Sequence, residues 1–304
     1  MSVFNAYMEL SGKIDAEVIR REKLSHRTTY RIGGPAALFV IPRTYQALMR
    51  TFEVLGTEGV PWVVLGRGSN VLVADEGYDG CVVKLGREFS RIEVTDDCRV
   101  TAGAGALLNT LISQAQQAGL SGLEILTGVP GTVGGAVSMN AGMRDEWIGS
   151  CVESVVTVKP REGMRRYQGT DIEWGYRWCS LPPGEVILEA TLRLAPGDRD
   201  KIASEMESRL ARRRLRQPMG LPSCGSVFRN PPRESAGRLV QDCGLAGLTI
   251  GGAQVSETHA NFIVNRGGAT AADVVACMQR MHDGVQAASG IDLVPEVKLL
   301  GFDR

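Results

Sequence analysis

The chain has 304 residues and carries 34 Lys and Arg against 34 Asp and Glu, so its formal charge is zero. A balanced chain has no net field to draw in nucleic acid, a membrane surface or an acidic polymer, and any anion site has to be built locally. Hydrophobic residues make up 43% without a run near the roughly 18 apolar residues of a membrane span, and the length exceeds that of a usual single core, so two or three packed units are expected.

The opening stretch MSVFNAYMELSGKIDAEVIRREK begins as an amphipathic helix, mixes charge into every turn and lacks the apolar run of a signal peptide, so a cytoplasmic protein is expected. The seven cysteines (Cys81, Cys98, Cys151, Cys179, Cys224, Cys243 and Cys277) are scattered, odd in number and free of any C-x-x-C pair, and there are three histidines. That pattern points to reduced thiols and away from zinc; no metal is expected.

In chain order, Leu38 to Ile41 reads as a strand, Tyr45 to Leu55 as a helix and Trp62 to Leu65 as a strand, which makes a βαβ unit. Short β-rich runs follow from Val71 to Val100, then Leu107, Leu108, Leu111, Ile112 and Ala115 mark a helix ending at Gly119. Strands recur at Val155 to Val158 and Val186 to Leu194, and Pro196-Gly197-Asp198 precedes a long helical pattern reaching Arg216. Beyond it come a helix at Ala236 to Cys243, strands at Leu248 to Val255 and Asn261 to Val264, a helix at Ala271 to Ala288, and a last strand, Val294 to Leu300. The fold class is α+β. The expected domains are 1–196, in two α+β subdomains of about 20–85 and 86–196, and an α/β domain at 197–304, with the boundary near Pro196.

The glycines cluster after strands: Gly66-Arg67-Gly68-Ser69-Asn70, Gly103-Ala104-Gly105, and Gly128-Val129-Pro130-Gly131-Thr132-Val133-Gly134-Gly135-Ala136. Consecutive unblocked amides, helped by a helix N-terminus, can hold a pyrophosphate without net protein charge. A single cluster would equally suit a tight turn; three weaken that account. Neither standard phosphate fingerprint fits, since Val71 stands where a Rossmann motif needs glycine and no G-x-x-x-x-G-K-[ST] occurs.

Three segments carry a resemblance: Thr29-Tyr30-Arg31-Ile32-Gly33-Gly34-Pro35-Ala36, Leu65 through Asn70, and Gly128 through Ala136 with Met139-Asn140-Ala141-Gly142. In order, spacing and wording they are similar to the UDP-N-acetylenolpyruvoylglucosamine reductase family, from about Leu24 to Gly301. The resemblance implies an FAD-binding unit of the vanillyl-alcohol-oxidase type and a third domain that closes over substrate. It further implies NADPH as reductant, UDP-N-acetylglucosamine enolpyruvate as substrate, UDP-N-acetylmuramate as product, and a place in peptidoglycan precursor synthesis. Neither nucleic acid nor membrane is expected as a partner, and a monomer is expected. The implied FAD contacts are Gly66, Arg67, Gly68, Ser69, Asn70 and Val71, then Gly103, then Gly128, Val129, Pro130, Gly131, Thr132, Gly134, Gly135 and Ala136, with Asn140 and Gly142. No histidine lies in these segments, so FAD is expected to be noncovalent.

Reducing an enolpyruvyl ether needs a hydride donor, a cation and acid to hold the developing enolate, and a proton source. In Trp174-Gly175-Tyr176-Arg177, Arg177 resembles the family arginine that binds the substrate carboxylate and stabilises the enol, with Tyr176 beside the substrate. Ser223-Cys224-Gly225-Ser226-Val227-Phe228-Arg229-Asn230-Pro231 resembles the motif whose serine is the general acid, here Ser226. Without that motif a glycine-flanked serine reads as a turn or cap. Glu296 and Lys298 alternate onto one face of the last strand, the pattern of a solvated edge; the resemblance makes Glu296 the partner of Arg177 at the enolate.

Arg212, Arg213, Arg214 and Arg216 read as a solvated helix end, with Arg214 and Asn230 resembling substrate-binding positions and His259 read as structural. Trp178 and Cys179 depart from the small polar residue usual after the Tyr-Arg pair, which leaves the loop geometry open. Eight residues separate Arg177 from Val186, too few for a tyrosine loop, so the short, second type of the family is expected. An FAD oxidase on the same fold would need a base rather than a carbanion donor, and a non-catalytic flavin module would need no acid; the set Arg177, Ser226 and Glu296 disfavours both.

Overall fold

The structure is a computed structural model that describes residues 2–143 and 146–302. It divides into two compact units, Met1–Arg20 with Leu38–Arg67 and Gly80–Ala211, and Arg21–Ala37 with Gly68–Asp79 and Arg212–Arg304. The last changeover falls inside a helix, between Ala211 and Arg212, and not at Pro196. The Pro-Gly-Asp stretch is a helix start: the Asp198 carboxylate accepts from the Asp200 and Lys201 amides, each at 3.0 Å.

In the first unit, α1 spans Val3–Leu10, with the Ser2 hydroxyl accepting from the Asn5 amide. The helix stops there and Ala16–Lys23 is a strand, because Gly12 takes φ +71°, where a helix cannot continue. That strand belongs to a four-stranded sheet ordered Ala16–Lys23, Pro35–Pro42, Tyr78–Val83, Trp62–Val64. Helix α2, Tyr45–Thr57, starts on the Thr44 cap and buries Leu48, Phe52 and Leu55. The strands on either side of α2 are not neighbours. Tyr78–Val83 intervenes and pairs in parallel with Trp62–Val64, so the expected βαβ unit spans one strand more than its sequence suggests.

The rest of this unit is a five-stranded antiparallel sheet ordered Gly163–Gln168, Val152–Lys159, Val186–Arg193, Arg99–Gly103, Ile92–Val94. Helices α3 (Leu108–Gln117) and α4 (Val133–Ser138) cover it around Leu111, Val137, Val155 and Leu192. Helix α5 is Arg199–Arg216.

The second unit contains α6 (Ala236–Asp242) and α7 (Ala271–Ser289), packed on Leu72, Val227, Phe228, Val240, Val274 and Met278. A capping box of Thr270 and Asp273 starts α7, and the Asp75 carboxylate accepts from its Ala271 and Ala272 amides at 2.7 and 3.0 Å. The run expected as one strand from Leu248 to Val255 is a hairpin, Thr249–Ile250 against Ala253–Val255, turning at Gly251-Gly252. The last strand is also shorter than expected. Only Lys298–Leu300 pairs, in parallel with Val71–Val73, while Pro295, which has no N–H, meets Phe228 through an isolated bridge. Glu296 therefore lies outside the strand.

Gly34, Gly77 and Gly301 interleave at one crossing of the second unit. A side chain on Gly34 would run into the Asp75 carbonyl, one on Gly77 into the Pro35 carbonyl, and one on Gly301 into the Gly77 carbonyl. Among the described residues, no helix is long and apolar enough to cross a membrane. All seven cysteines are free thiols.

Candidate active site

In the first unit, Trp174 pairs with Cys179 and Gly175 with Trp178, leaving Tyr176 and Arg177 as a two-residue turn. The departure at Trp178 and Cys179 is thereby absorbed as the return strand of a hairpin, and the buried Cys179 thiol donates to the Ser138 carbonyl at 3.6 Å. Arg177 takes φ +61°, a left-handed conformation that costs a non-glycine residue about 1–2 kcal/mol. Such strain persists only where neighbours enforce it. Arg177 Nη1 donates to the Gly142 carbonyl at 3.1 Å, and its guanidinium lies 5.1 Å from the Tyr176 ring centroid. Asn140, only 2% exposed, accepts from the Gly149 amide and donates to the Gly175 carbonyl, both at 3.0 Å. The Asn140 side chain thus bonds the base of the Arg177 hairpin.

In the second unit, Ser226 and Glu296 are brought together through the backbone between them. The Val227 carbonyl accepts from the Glu296 amide at 2.8 Å, and the Val294 carbonyl accepts from the Arg229 amide at the same distance. Asn70, the end of the first glycine cluster, joins them: its Nδ2 donates to the Glu296 carbonyl at 3.2 Å and its carbonyl accepts from the Lys298 amide at 3.0 Å. Two residues without a role assigned from sequence complete the frame. Asn261 bonds both main-chain groups of Phe228, and the Thr29 hydroxyl donates to the Ser223 carbonyl at 2.8 Å while its amide donates to the Gly68 carbonyl at 3.2 Å.

Burial pushes the Cys224 thiol up to about 12, and the negative charge of Glu296 adds to the effect. Burial pushes His259 down, and its Nδ1 accepts from the Asn261 amide at 3.3 Å, a structural role. The Asn230 side-chain Oδ1 accepts from the Ala236 amide at 3.0 Å, at the start of α6. Arg214 is exposed in the last turn of α5.

The glycine clusters divide in their fitness for FAD. Gly103, Val129, Gly134, Gly135 and Ala136 donate their amides to protein acceptors and cannot offer them to a phosphate. Among the described residues, the amides of Gly66, Arg67, Gly68, Ser69, Gly128, Gly131 and Thr132 have no protein acceptor. Gly66 and Gly68 are also positions where a side chain does not fit: a Cβ would stand 2.6 Å from Thr132 Oγ1 and 2.7 Å from the Arg27 carbonyl, and Gly68 has φ +63°. Four consecutive free amides suit the oxygens of a diphosphate.

A model of an FAD binding domain matches residues 36–160, and one described as "UDP-N-acetylenolpyruvoylglucosamine reductase, C-terminal domain" matches residues 217–300. The UDP-N-acetylenolpyruvoylglucosamine reductase of Heliobacterium modesticaldum is 45% identical over 285 residues, 93% of this chain and 90% of that one. That of Geobacter metallireducens is 40% identical over 296 residues, covering 97% and 98%. The crystal structure of the Thermus caldophilus reductase superimposes with a TM-score of 0.82 at 36% identity, over 94% of this chain and 99% of that one. With the free-amide loop, the Arg177 hairpin and the Ser226–Glu296 crossing, these likenesses mean that the chain belongs to the UDP-N-acetylenolpyruvoylglucosamine reductase family of FAD-dependent oxidoreductases.

Proposed function

We propose that the protein reduces UDP-N-acetylglucosamine enolpyruvate to UDP-N-acetylmuramate with NADPH, in the cytoplasm, for peptidoglycan precursor synthesis. The observation that carries this reading is the hydrogen bond from the Glu296 amide to the Val227 carbonyl, which ties the proton donor's segment to a carboxylate otherwise distant in sequence. FAD, held noncovalently, would supply the hydride for one alkene carbon. The free amides from Gly66 to Ser69 and those of Gly128, Gly131 and Thr132 hold its diphosphate.

Arg177 binds the substrate carboxylate, and its fixed positive charge lowers the energy of the enolate that hydride addition creates. Glu296 partners that enolate. Ser226 gives its hydroxyl proton to the second alkene carbon; a carbanion is basic enough to take a proton from an ordinary alcohol. Tyr176, Arg214 and Asn230 contribute to holding the nucleotide sugar.

Ser226→Ala tests the assignment, because flavin reduction by NADPH forms no carbanion and needs no hydroxyl. In stopped flow, bleaching by NADPH should be unchanged while reoxidation by the enolpyruvyl substrate slows by ~10² to 10⁴, roughly 3 to 5 kcal/mol of barrier. Reoxidation within a few-fold of wild type would remove Ser226 from the reaction.

A further inference from the structure

Ser226 and Glu296 lie in extended segments that no regular sheet supports. Ser226 has an isolated bridge to Phe262, and Phe228 one to Pro295. Fixed geometry at the site therefore has to come from somewhere else. Resting on the roles given above to Ser226 and Glu296, we propose that Asn261 is the positioning residue that sets the geometry of that pair.

Asn261 stands in for a missing strand. Its Oδ1 accepts from the Phe228 amide at 3.1 Å and its Nδ2 donates to the Phe228 carbonyl at 2.8 Å, the pair of bonds an adjacent strand would make. Its own carbonyl accepts from the Val227 amide at 2.9 Å. The remaining main-chain group, the Val227 carbonyl, is the one that receives the Glu296 amide. Three of the four polar groups at Val227 and Phe228 thus bond to one residue, and the fourth is left aimed at Glu296. Asn261 and Phe228 are each 2% exposed, so water cannot replace these bonds. Asparagine is the side chain that offers one acceptor and one donor at this reach.

The role differs from that of a residue which only stabilises the fold. If Asn261 acts by placing Ser226, its loss costs nothing once the Ser226 hydroxyl is gone. The test uses the FAD-loaded enzyme with Asn261→Asp, Ser226→Ala and the double variant; Asn261→Asp keeps the acceptor for the Phe228 amide and removes the donor, and is less disruptive than Asn261→Ala. For Asn261→Asp, flavin reduction by NADPH and the KM for the enolpyruvyl substrate should stay within twofold of wild type, while reoxidation slows by about 10- to 100-fold, the scale of a small misplacement. The double variant should be no slower than Ser226→Ala alone. Hydrogen exchange at the Glu296 amide should accelerate in Asn261→Asp. Reoxidation within twofold of wild type in Asn261→Asp, or additive losses in the double variant, overturns the proposal and leaves the acid role of Ser226 standing. A Ser226→Ala enzyme that reoxidises normally overturns the acid role and the proposal together.

Discussion

Arg177 and Ser226 are both presented by segments that a buried asparagine holds, yet the two frames are built differently. The Arg177 turn is a hairpin closed on itself, with Asn140 bonding its base and the strain of one residue at φ +61° as its cost. The Ser226 segment has no such local frame. Its bonds come from Asn261, Val294 and Glu296, and the segment exists only when distant pieces of the second unit have assembled. Under the proposed roles, a charged group that grips substrate tolerates a turn, whereas a proton donor has to meet one carbon within hydrogen-bond reach, and crossed segments define that position from several sides.

The sharpest way to break this comparison is to alter the groups proposed to act on the substrate. Arg177→Lys and Glu296→Gln should each lower turnover by about 10²-fold or more, the scale of removing one preorganised electrostatic contact, while flavin content measured by absorbance stays at the wild-type value. Unchanged turnover would exclude that residue from the reaction, and lost flavin would mean that it serves the cofactor. Next in size is Asn140→Asp, which leaves the Gly175 carbonyl without its donor. The expected cost is about 1–3 kcal/mol of stability, read by thermal melting, with a fall in turnover as the Arg177 turn loosens. A lower melting temperature at wild-type turnover would show that the hairpin holds Arg177 without Asn140.

The smallest effect compares the cores of the two units, since each contains a fully buried thiol, Cys81 in the first and Cys224 in the second. Burial pushes both up, Cys224 to about 12 from the usual 9.0. Between those values the unfolded chain binds fewer protons than the folded one, so stability is intact below pH 9 and falls as pH rises above it. The expected loss is about 1.4 kcal/mol per pH unit for each thiol. Melting curves from pH 8 to 10.5 measure it, and Cys81→Ala or Cys224→Ala should flatten them. A variant curve parallel to the wild-type curve would mean that the thiol does not titrate on unfolding.

What the sequence made legible follows from range. Helices α2, α3 and α7 are legible in the sequence, with Gly119 as the stop of α3, whereas the caps Thr44 and Thr270 are read from the structure. Arg177, Ser226 and Glu296 are readable through their motifs, but their frames are not. Nothing near Asn261 announces that its side chain will bond Phe228, 33 positions earlier. Alternation placed Glu296 in a strand because Val294, Pro295 and Val297 look β-like, while Pro295 cannot donate to a ladder and pairing begins only at Lys298. The resemblance places Asn140 beside the cofactor; that its buried side chain also bonds Gly149 and Gly175 is a tertiary fact that no local pattern encodes.

The glycine crossing of Gly34, Gly77 and Gly301 has a consequence for how the chain is made. The second unit takes its parts from segments far apart in the chain, Arg21–Ala37 and Gly68–Asp79 made early and Arg212–Arg304 made late. At synthesis rates of roughly 5–20 residues per second, the ribosome needs on the order of ten to forty seconds between emitting Gly77 and emitting Gly301. Throughout that interval Val71–Val73 has exposed strand edges and Leu72 has no core to enter. The first unit, whose last residue is Ala211, can close while the remainder is still being translated. The newborn protein therefore depends on residues as late as Gly301: a chain halted shortly before it would carry a finished flavin-side unit and a second unit that could never knit.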